Sequence, residues 1–157
     1  MKITLLQVGK TEAGWLKSGI DEYNARLGHY IRFNIAEVAL PRNLKQLSPL
    51  ALKEAEGKLI LKHMQEADQV FLLDEKGRQL SSEDFALWLQ KMMNAGTRHL
   101  MFVIGGAFGF SDEVYSAAKG KLSLSAMTFS HQMVRLFFTE QLYRAFTILK
   151  NEPYHNS

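Results

Sequence analysis

The chain has 157 residues, 46% hydrophobic and 22% charged, with a net charge of +3 and no cysteine. That describes one globular domain able to bury a single core, and it excludes disulfides, iron–sulfur clusters, thiolate zinc sites and a cysteine nucleophile. No apolar stretch reaches the roughly 18–20 residues of a membrane span.

The opening "MKITLLQVGK" has a short apolar run and no small-residue cleavage site, so residues 2–8 are expected to form a first strand, not a signal peptide. "GWLKSGIDEYNARL" (14–27) predicts an amphipathic helix, and "RFNIAEVAL" (32–40) a second strand. After Pro41, "RNLKQLSP" predicts a polar loop, and Ser48-Pro49 supplies the cap and first turn of a helix to Met64. "QVFLLD" (69–74) predicts a short strand ended by a turn at "EKGRQL". Ser81 or Ser82 then caps a helix through Met93, with Phe85, Leu89 and Met92 on one face. "HLMFVIG" (99–105) predicts the fourth strand, Ser111-Asp112-Glu113 a short helix to Ala118, and "KLSLSAM" (121–127) the fifth strand. A long helix over 131–150 ends the chain.

Apolar strands alternating with helices predict an α/β fold, a mainly parallel sheet covered on both faces, as one domain over 1–157. Ligands of such sheets sit at the carboxyl ends of strands. Three ends stand out: Leu72-Leu73-Asp74, Gly105 to Gly109, and Leu124 to Phe129.

Gly105, Gly106 and Gly109 have the spacing G-G-x-x-G. A dinucleotide fingerprint needs G-x-G-x-x-G after the first strand and an acidic residue roughly 20 positions on. Here the loop follows the fourth strand, and no acid lies between Glu113 and Glu140. "GKLS" (120–123) has leucine where a P-loop needs a hydroxyl. Two readings stay open: a tight strand-to-helix turn with positive backbone angles, and a wall for a flat, neutral or cationic ligand such as an adenosine, with Ala107 and Phe108 adding apolar surface. "LSLSAMTFSH" (122–131) is either a plain buried strand ending in a Ser-capped helix, or small residues that let backbone approach a purine packed by Met127 and Phe129.

Taken together, "FVIGGAFGFS" and "LSLSAMTFSHQMVRLFFTEQLYRAFTILKNEPYH" resemble the ribosomal RNA large subunit methyltransferase H family, small SPOUT-class enzymes dependent on S-adenosylmethionine. The resemblance also covers "VGK" after the first strand and "LLDEKGRQLSSEDFA". It rests on the ordered series IGG-x-x-G, LS-x-M-T-x-x-H-x-x-x-R, E-Q-L-Y-R-A and P-Y-H. It implies a C-terminal trefoil knot, a homodimer with the knots packed together, and a cytoplasmic enzyme with no membrane or DNA partner. The implied reaction is methylation at N3 of a pseudouridine in 23S ribosomal RNA within the assembled ribosome. The implied cofactor contacts are Leu73, Gly105, Leu124, Ser125, Ala126, Met127, Thr128 and Phe129. Asn156 and Ser157 depart from the family, whose tails commonly carry a basic residue or second histidine after Tyr-His.

Methyl transfer from a sulfonium needs an in-line acceptor and removal of one proton, with no metal, and the sequence offers no convincing metal site. The candidate catalytic residues lie late in the chain. His131 and Arg135 are spaced i, i+4 on one helix face, Tyr143 and Arg144 follow two turns on, and Tyr154 and His155 sit in the tail after Pro153. Such a tail can cover a site or reach across a dimer. Val134, Phe137, Phe138, Leu142, Phe146 and Leu149 cover more than one stripe of the last helix, which suits burial against the sheet and a second surface. Lys10, Lys17, Arg26, Arg32, Arg42 and Lys45 are candidate phosphate contacts. A SPOUT enzyme acting on transfer RNA, and a ribosome-binding module without activity, are the alternatives; the second predicts no binding of S-adenosylmethionine.

Overall fold

Side chains alternate across a strand. Along β4 (His99–Ile104), Leu100, Phe102 and Ile104 point to one face and Met101 and Val103 to the other, all buried. A strand apolar on both faces belongs in the middle of a covered sheet. In the computed structural model, which describes residues 1–156, β4 lies third in a five-stranded sheet of order β2-β1-β4-β3-β5. Its companions are β1 (Lys2–Val8), β2 (Arg32–Val38), β3 (Gln69–Gln79) and β5 (Gly120–Ser123), and every pairing is parallel.

Helices α1 (Gly14–Leu27), α3 (Ser82–Asn94) and α5 (His131–Leu149) cover the Phe102 face. There Phe102 meets Phe138 of α5 with ring centroids 4.7 Å apart. Helices α2 (Pro49–Met64) and α4 (Asp112–Ala117) cover the other face through Ile60, Met64 and Val114. Four helices start on a serine whose hydroxyl accepts a backbone N–H two or three residues into the first turn: Ser48, Ser81, Ser111 and Ser130. Each such cap is worth about 1 kcal/mol. Ser81, not Ser82, caps α3.

The fold class and element order are those expected, the sheet being wholly parallel. Small differences are that β2 stops at Val38, the polar loop holds one 3-10 turn (Arg42–Gln46), and α5 ends at Leu149.

Two differences shape the site. The predicted turn "EKGRQL" is a continuation of β3, which slips register between Leu73 and Arg78 and pairs Arg78 and Gln79 with Leu122 and Ser123. Gly77 lies flat against β5, where a Cβ would stand 2.7 Å from the Leu122 nitrogen. This polar stretch is held extended by a distant strand, so nothing local announces it. The predicted strand 121–127 stops at Ser123. There Ser123 Oγ donates to the Ser125 carbonyl (2.8 Å) and Ser125 Oγ accepts the Met127 N–H (3.0 Å), short-range bonds that compete with a ladder and bend the chain.

Candidate active site

The bend after β5 faces the ends of β3 and β4, and the three loops enclose a cleft of about 540 Å3. Of the expected cofactor contacts, Leu73, Gly105, Leu124, Ser125, Met127, Thr128 and Phe129 line it, while Ala126 is exposed and forms no part of the wall. His131, at the first turn of α5, closes one side. The glycine loop folds on itself through a bridge between Gly106 and Gly109. Only Gly109 takes the left-handed backbone (φ 79°), so the expectation of positive angles holds for one glycine of the three.

Gly106 meets a different demand. A Cβ there would stand 2.4 Å from a carboxylate oxygen of Glu56, a residue only 3% exposed. Burial pushes the Glu56 carboxyl above its ordinary value. The sequence carries a signal for it: Glu56, Ile60 and Met64 recur every fourth residue along the buried face of α2.

The polar side chains of the cleft fasten it to itself. Asp74 accepts the Tyr115 hydroxyl and the Lys76 N–H (2.8 Å), and Glu75 accepts the Thr128 hydroxyl, tying the end of β3 to α4 and to the loop after β5. Burial, then Asp74, pushes the Tyr115 phenol up. Burial and then the charge of Arg135 push His131 down, so the imidazole facing the cleft is neutral at neutral pH. Two carboxylates against one lysine favour a cationic ligand over a polyphosphate.

Arg135 does not join this cleft. It is fully buried and donates to the carbonyls of Val8 (2.7 Å) and Gly9 (3.2 Å) and to Thr11 Oγ1 (3.1 Å), binding α5 to the end of β1. Neither a solvated charge nor a free RNA contact fits that position; it holds the helix that carries His131.

Arg144, Tyr154 and His155 come together elsewhere, around Glu140. One Glu140 oxygen accepts Arg144 Nη2 (2.6 Å), Arg144 Nε (3.1 Å) and the Tyr154 hydroxyl (2.9 Å). Arg144 Nη1 lies 3.1 Å from His155 Nδ1, and His155 Nε2 lies 2.9 Å from Glu83. A guanidinium only donates, so Nδ1 accepts, Nε2 carries the proton, and Glu83 receives it. Tyr143 packs edge-on against Tyr154 with centroids 4.7 Å apart. Burial, then the hydrogen bonds of Tyr23 and Glu140, raises the Tyr154 phenol. Asn156 is exposed, and Ser157 lies outside the described residues. Glu140 is nine residues beyond His131 on α5, about 14 Å along the axis. Asp74, Glu75, Tyr115, Glu83 and Glu140 are site residues beyond those the sequence names; Asp74 has a signal as the end of a marked strand, and Glu140 as the first residue of E-Q-L-Y-R-A.

Of the candidate phosphate contacts, Arg26 is engaged by Glu22 at 2.6 Å and lies over the Tyr23 and Tyr143 rings. Lys10, Lys17, Arg32, Arg42 and Lys45 are exposed. No helix among the described residues is long and apolar enough to cross a membrane.

Loops at the carboxyl ends of parallel strands, walls rich in backbone and small residues, and an acidic rim define an α/β protein built for a nucleoside-bearing cation. Residues 1–155 match the family described as "Predicted SPOUT methyltransferase". The chain is 56% identical over 156 residues to Ribosomal RNA large subunit methyltransferase H of Flavobacterium psychrophilum and 53% identical to that of Parabacteroides distasonis, covering 99% of each chain. It therefore belongs to the ribosomal RNA large subunit methyltransferase H family of SPOUT methyltransferases. Among solved structures it is similar in fold to a probable methyltransferase from Bordetella pertussis (TM-score 0.59, 9% identity, covering 92% of this chain and 94% of that one). A putative methyltransferase from Legionella pneumophila, solved with bound SAM, is also similar (TM-score 0.50, 14% identity, covering 95% of this chain and 66% of that one).

Proposed function

We propose that the chain methylates N3 of a pseudouridine in 23S ribosomal RNA of the assembled ribosome, using S-adenosylmethionine. What carries this reading is identity above 50% across the full length of relatives that bear one name, Ribosomal RNA large subunit methyltransferase H. The cleft supports the cofactor: Asp74 and Glu75 suit a cation, and the glycine loop leaves room for backbone to meet a flat ring.

When bound, the cofactor supplies an electrophilic methyl group on a sulfonium. Bound there, it would give its methyl to N3 and keep the sulfur as a neutral thioether, which leaves the N3 proton for this chain's own residues to take up. Leu73, Gly105, Leu124, Ser125, Met127, Thr128 and Phe129 would hold and orient the donor. His131, neutral at the cleft wall, is in a state to accept a proton. Arg144, ordered by Glu140, supplies positive charge and donors toward an anion at N3, and His155, held between Arg144 and Glu83, fixes the tail beside it. Tyr143 and Tyr154 shape the surface on which the nucleotide rests. Arg135 acts at one remove, by seating α5.

The tail cluster stands apart from the cleft within one chain, which favours a cytoplasmic homodimer in which one protomer's tail meets its partner's cleft. The return of the chain from edge strand β5 across to β1, where Arg135 anchors α5, is the path that a C-terminal trefoil knot would thread. Sedimentation equilibrium tests the dimer. The function is tested by incubating the protein with tritiated S-adenosylmethionine and ribosomes from a strain deleted for its gene, then identifying the labelled nucleoside. Label in 3-methylpseudouridine of 23S RNA is the expected result. Label in another RNA, or none, overturns the reading.

A further inference from the structure

A second cavity, of about 390 Å3, adjoins the cofactor cleft and shares with it Leu73, Leu122, Ser123, Leu124 and Phe129. It extends along α5 to Glu140 and Gln141, with Ser82 at the start of α3 on its far side. It thus begins at the backbone that lines the cleft and ends at the carboxylate that holds Arg144 and Tyr154. No other described cavity touches both groups.

Its walls change in character along that path. Near the cleft stand Phe129 and Phe137, with centroids 4.9 Å apart and planes at 52°. Phe137 is 37% exposed, so an aromatic face is open to a visiting ring. At the other end Ser82 Oγ donates to Gln141 Oε1 (2.7 Å) and Gln141 Nε2 donates to Glu140 Oε2 (3.0 Å). These bonds fix the carboxamide orientation and leave it one N–H and one oxygen lone pair. At the rim, the Arg78 side chain is exposed and its guanidinium makes no hydrogen bond or ion pair among the described residues, a cation suited to a phosphate.

A cavity with aromatic rings in its wall, a donor and acceptor side by side at its end, and an unpaired guanidinium at its mouth match one nucleotide turned out of its RNA. We infer that this second cavity receives the target base, and that Gln141 reads its N1–H and C2 carbonyl. The inference rests on the function proposed above and adds the location and selectivity of the acceptor. The base stacks on Phe137, with Phe129 at its edge and N3 turned toward the shared wall and the methyl donor. In uridine N1 is the glycosidic nitrogen and has no hydrogen. In pseudouridine the sugar is joined to carbon, so N1–H is free beside the C2 carbonyl, and this pair fits the open carboxamide. Gln141 is therefore a specificity-determining residue that favours pseudouridine over uridine.

The test uses two ribosome preparations, both lacking the N3 methyl group, one with pseudouridine at the target and one with uridine there because its pseudouridine synthase gene is also deleted. Methyl transfer is measured for the wild type, Gln141→Met and Arg78→Glu, with cofactor affinity and melting temperature measured alongside. Gln141→Met is expected to lose about tenfold or more in kcat/KM on pseudouridine and little on uridine, so that its preference collapses, because a site built to bond an N–H loses only the substrate that has one. Arg78→Glu is expected to raise KM equally for both substrates. Cofactor affinity should stay within twofold in each variant.

A preference unchanged in Gln141→Met overturns the role of Gln141. Weakened cofactor binding in that variant assigns the cavity to the cofactor and overturns the subsite. Arg78→Glu, at an exposed position, guards against a folding defect: normal transfer by both variants also overturns the subsite. A wild type that labels neither preparation defeats the proposed function itself and this inference with it.

Discussion

The cleft and the cluster around Glu140 are assembled on different plans. The cleft is walled mainly by three short loops, each of them a few covalently linked residues after a strand, and its three glycines present only backbone. The Glu140 cluster is made of long charged and aromatic side chains, drawn from α1, α3, α5 and the tail, and bonded to one another. A backbone wall recognises shape and tolerates few added atoms. A side-chain cluster recognises charge, and single residues can be removed from it without closing a space. The two should therefore fail differently when mutated.

The largest effect is expected at Gly105, where an added Cβ would lie 3.2 Å from Phe110 and 3.4 Å from the backbone of Gly109. Gly105→Val should weaken S-adenosylmethionine binding by about 100-fold, the upper range of overpacking costs, while leaving the Glu140 cluster intact. Normal cofactor binding by calorimetry in that variant would show that the cleft is not the cofactor site.

Arg135 underlies the comparison because it positions α5, which serves both regions. Arg135→Met leaves the Val8 and Gly9 carbonyls without their charged donor and should cost about 3 kcal/mol. For a chain of this size that lowers the melting temperature by about 6–12 °C. A melting temperature near wild type, with activity lost, would instead make Arg135 a residue of the reaction.

Arg144→Ala removes charge from the second region only. Turnover should fall about 100-fold, as when one donor to a developing anion is lost, with cofactor affinity unchanged. Loss of cofactor affinity in the same titration would merge the two regions into one site.

The smallest effect is expected beneath the glycine loop. The folded state holds the Glu56 proton more tightly than the unfolded chain does, so stability declines as pH rises from the ordinary carboxyl range through the raised value. Glu56→Gln should abolish that decline and be about 1 kcal/mol more stable at pH 8, with a smaller gap at pH 5. Urea unfolding of both proteins at the two pH values measures it; a wild type that gains on its variant as pH rises would contradict the assignment.

The same contrast explains what could be read before the fold was known. The cleft was legible because its loops are local: a strand end, a glycine run and a Ser-rich bend are each written in a few adjacent letters. Even so, the pattern over 124–127 predicts strand, since Ser123 and Ser125 turn the chain by side-chain bonds from residues that also suit an extended pattern. The Glu140 cluster was only half legible. Arg144, Tyr154 and His155 stood out by residue type and family resemblance, but Glu83 did not, because its bond to His155 spans 72 positions.

By itself the sequence determined the strand and helix order, the parallel α/β class, the family and the three loops that enclose the cleft. Those depend on side-chain periodicity and short motifs, which act over a few residues. Only the tertiary structure decided that Arg135 is buried at the end of β1, that "EKGRQL" runs on as strand against β5, and that a second cavity joins the cleft to Glu140. Each of those depends on partners brought close by folding, and burial and hydrogen bonding between distant residues leave no local pattern in the chain.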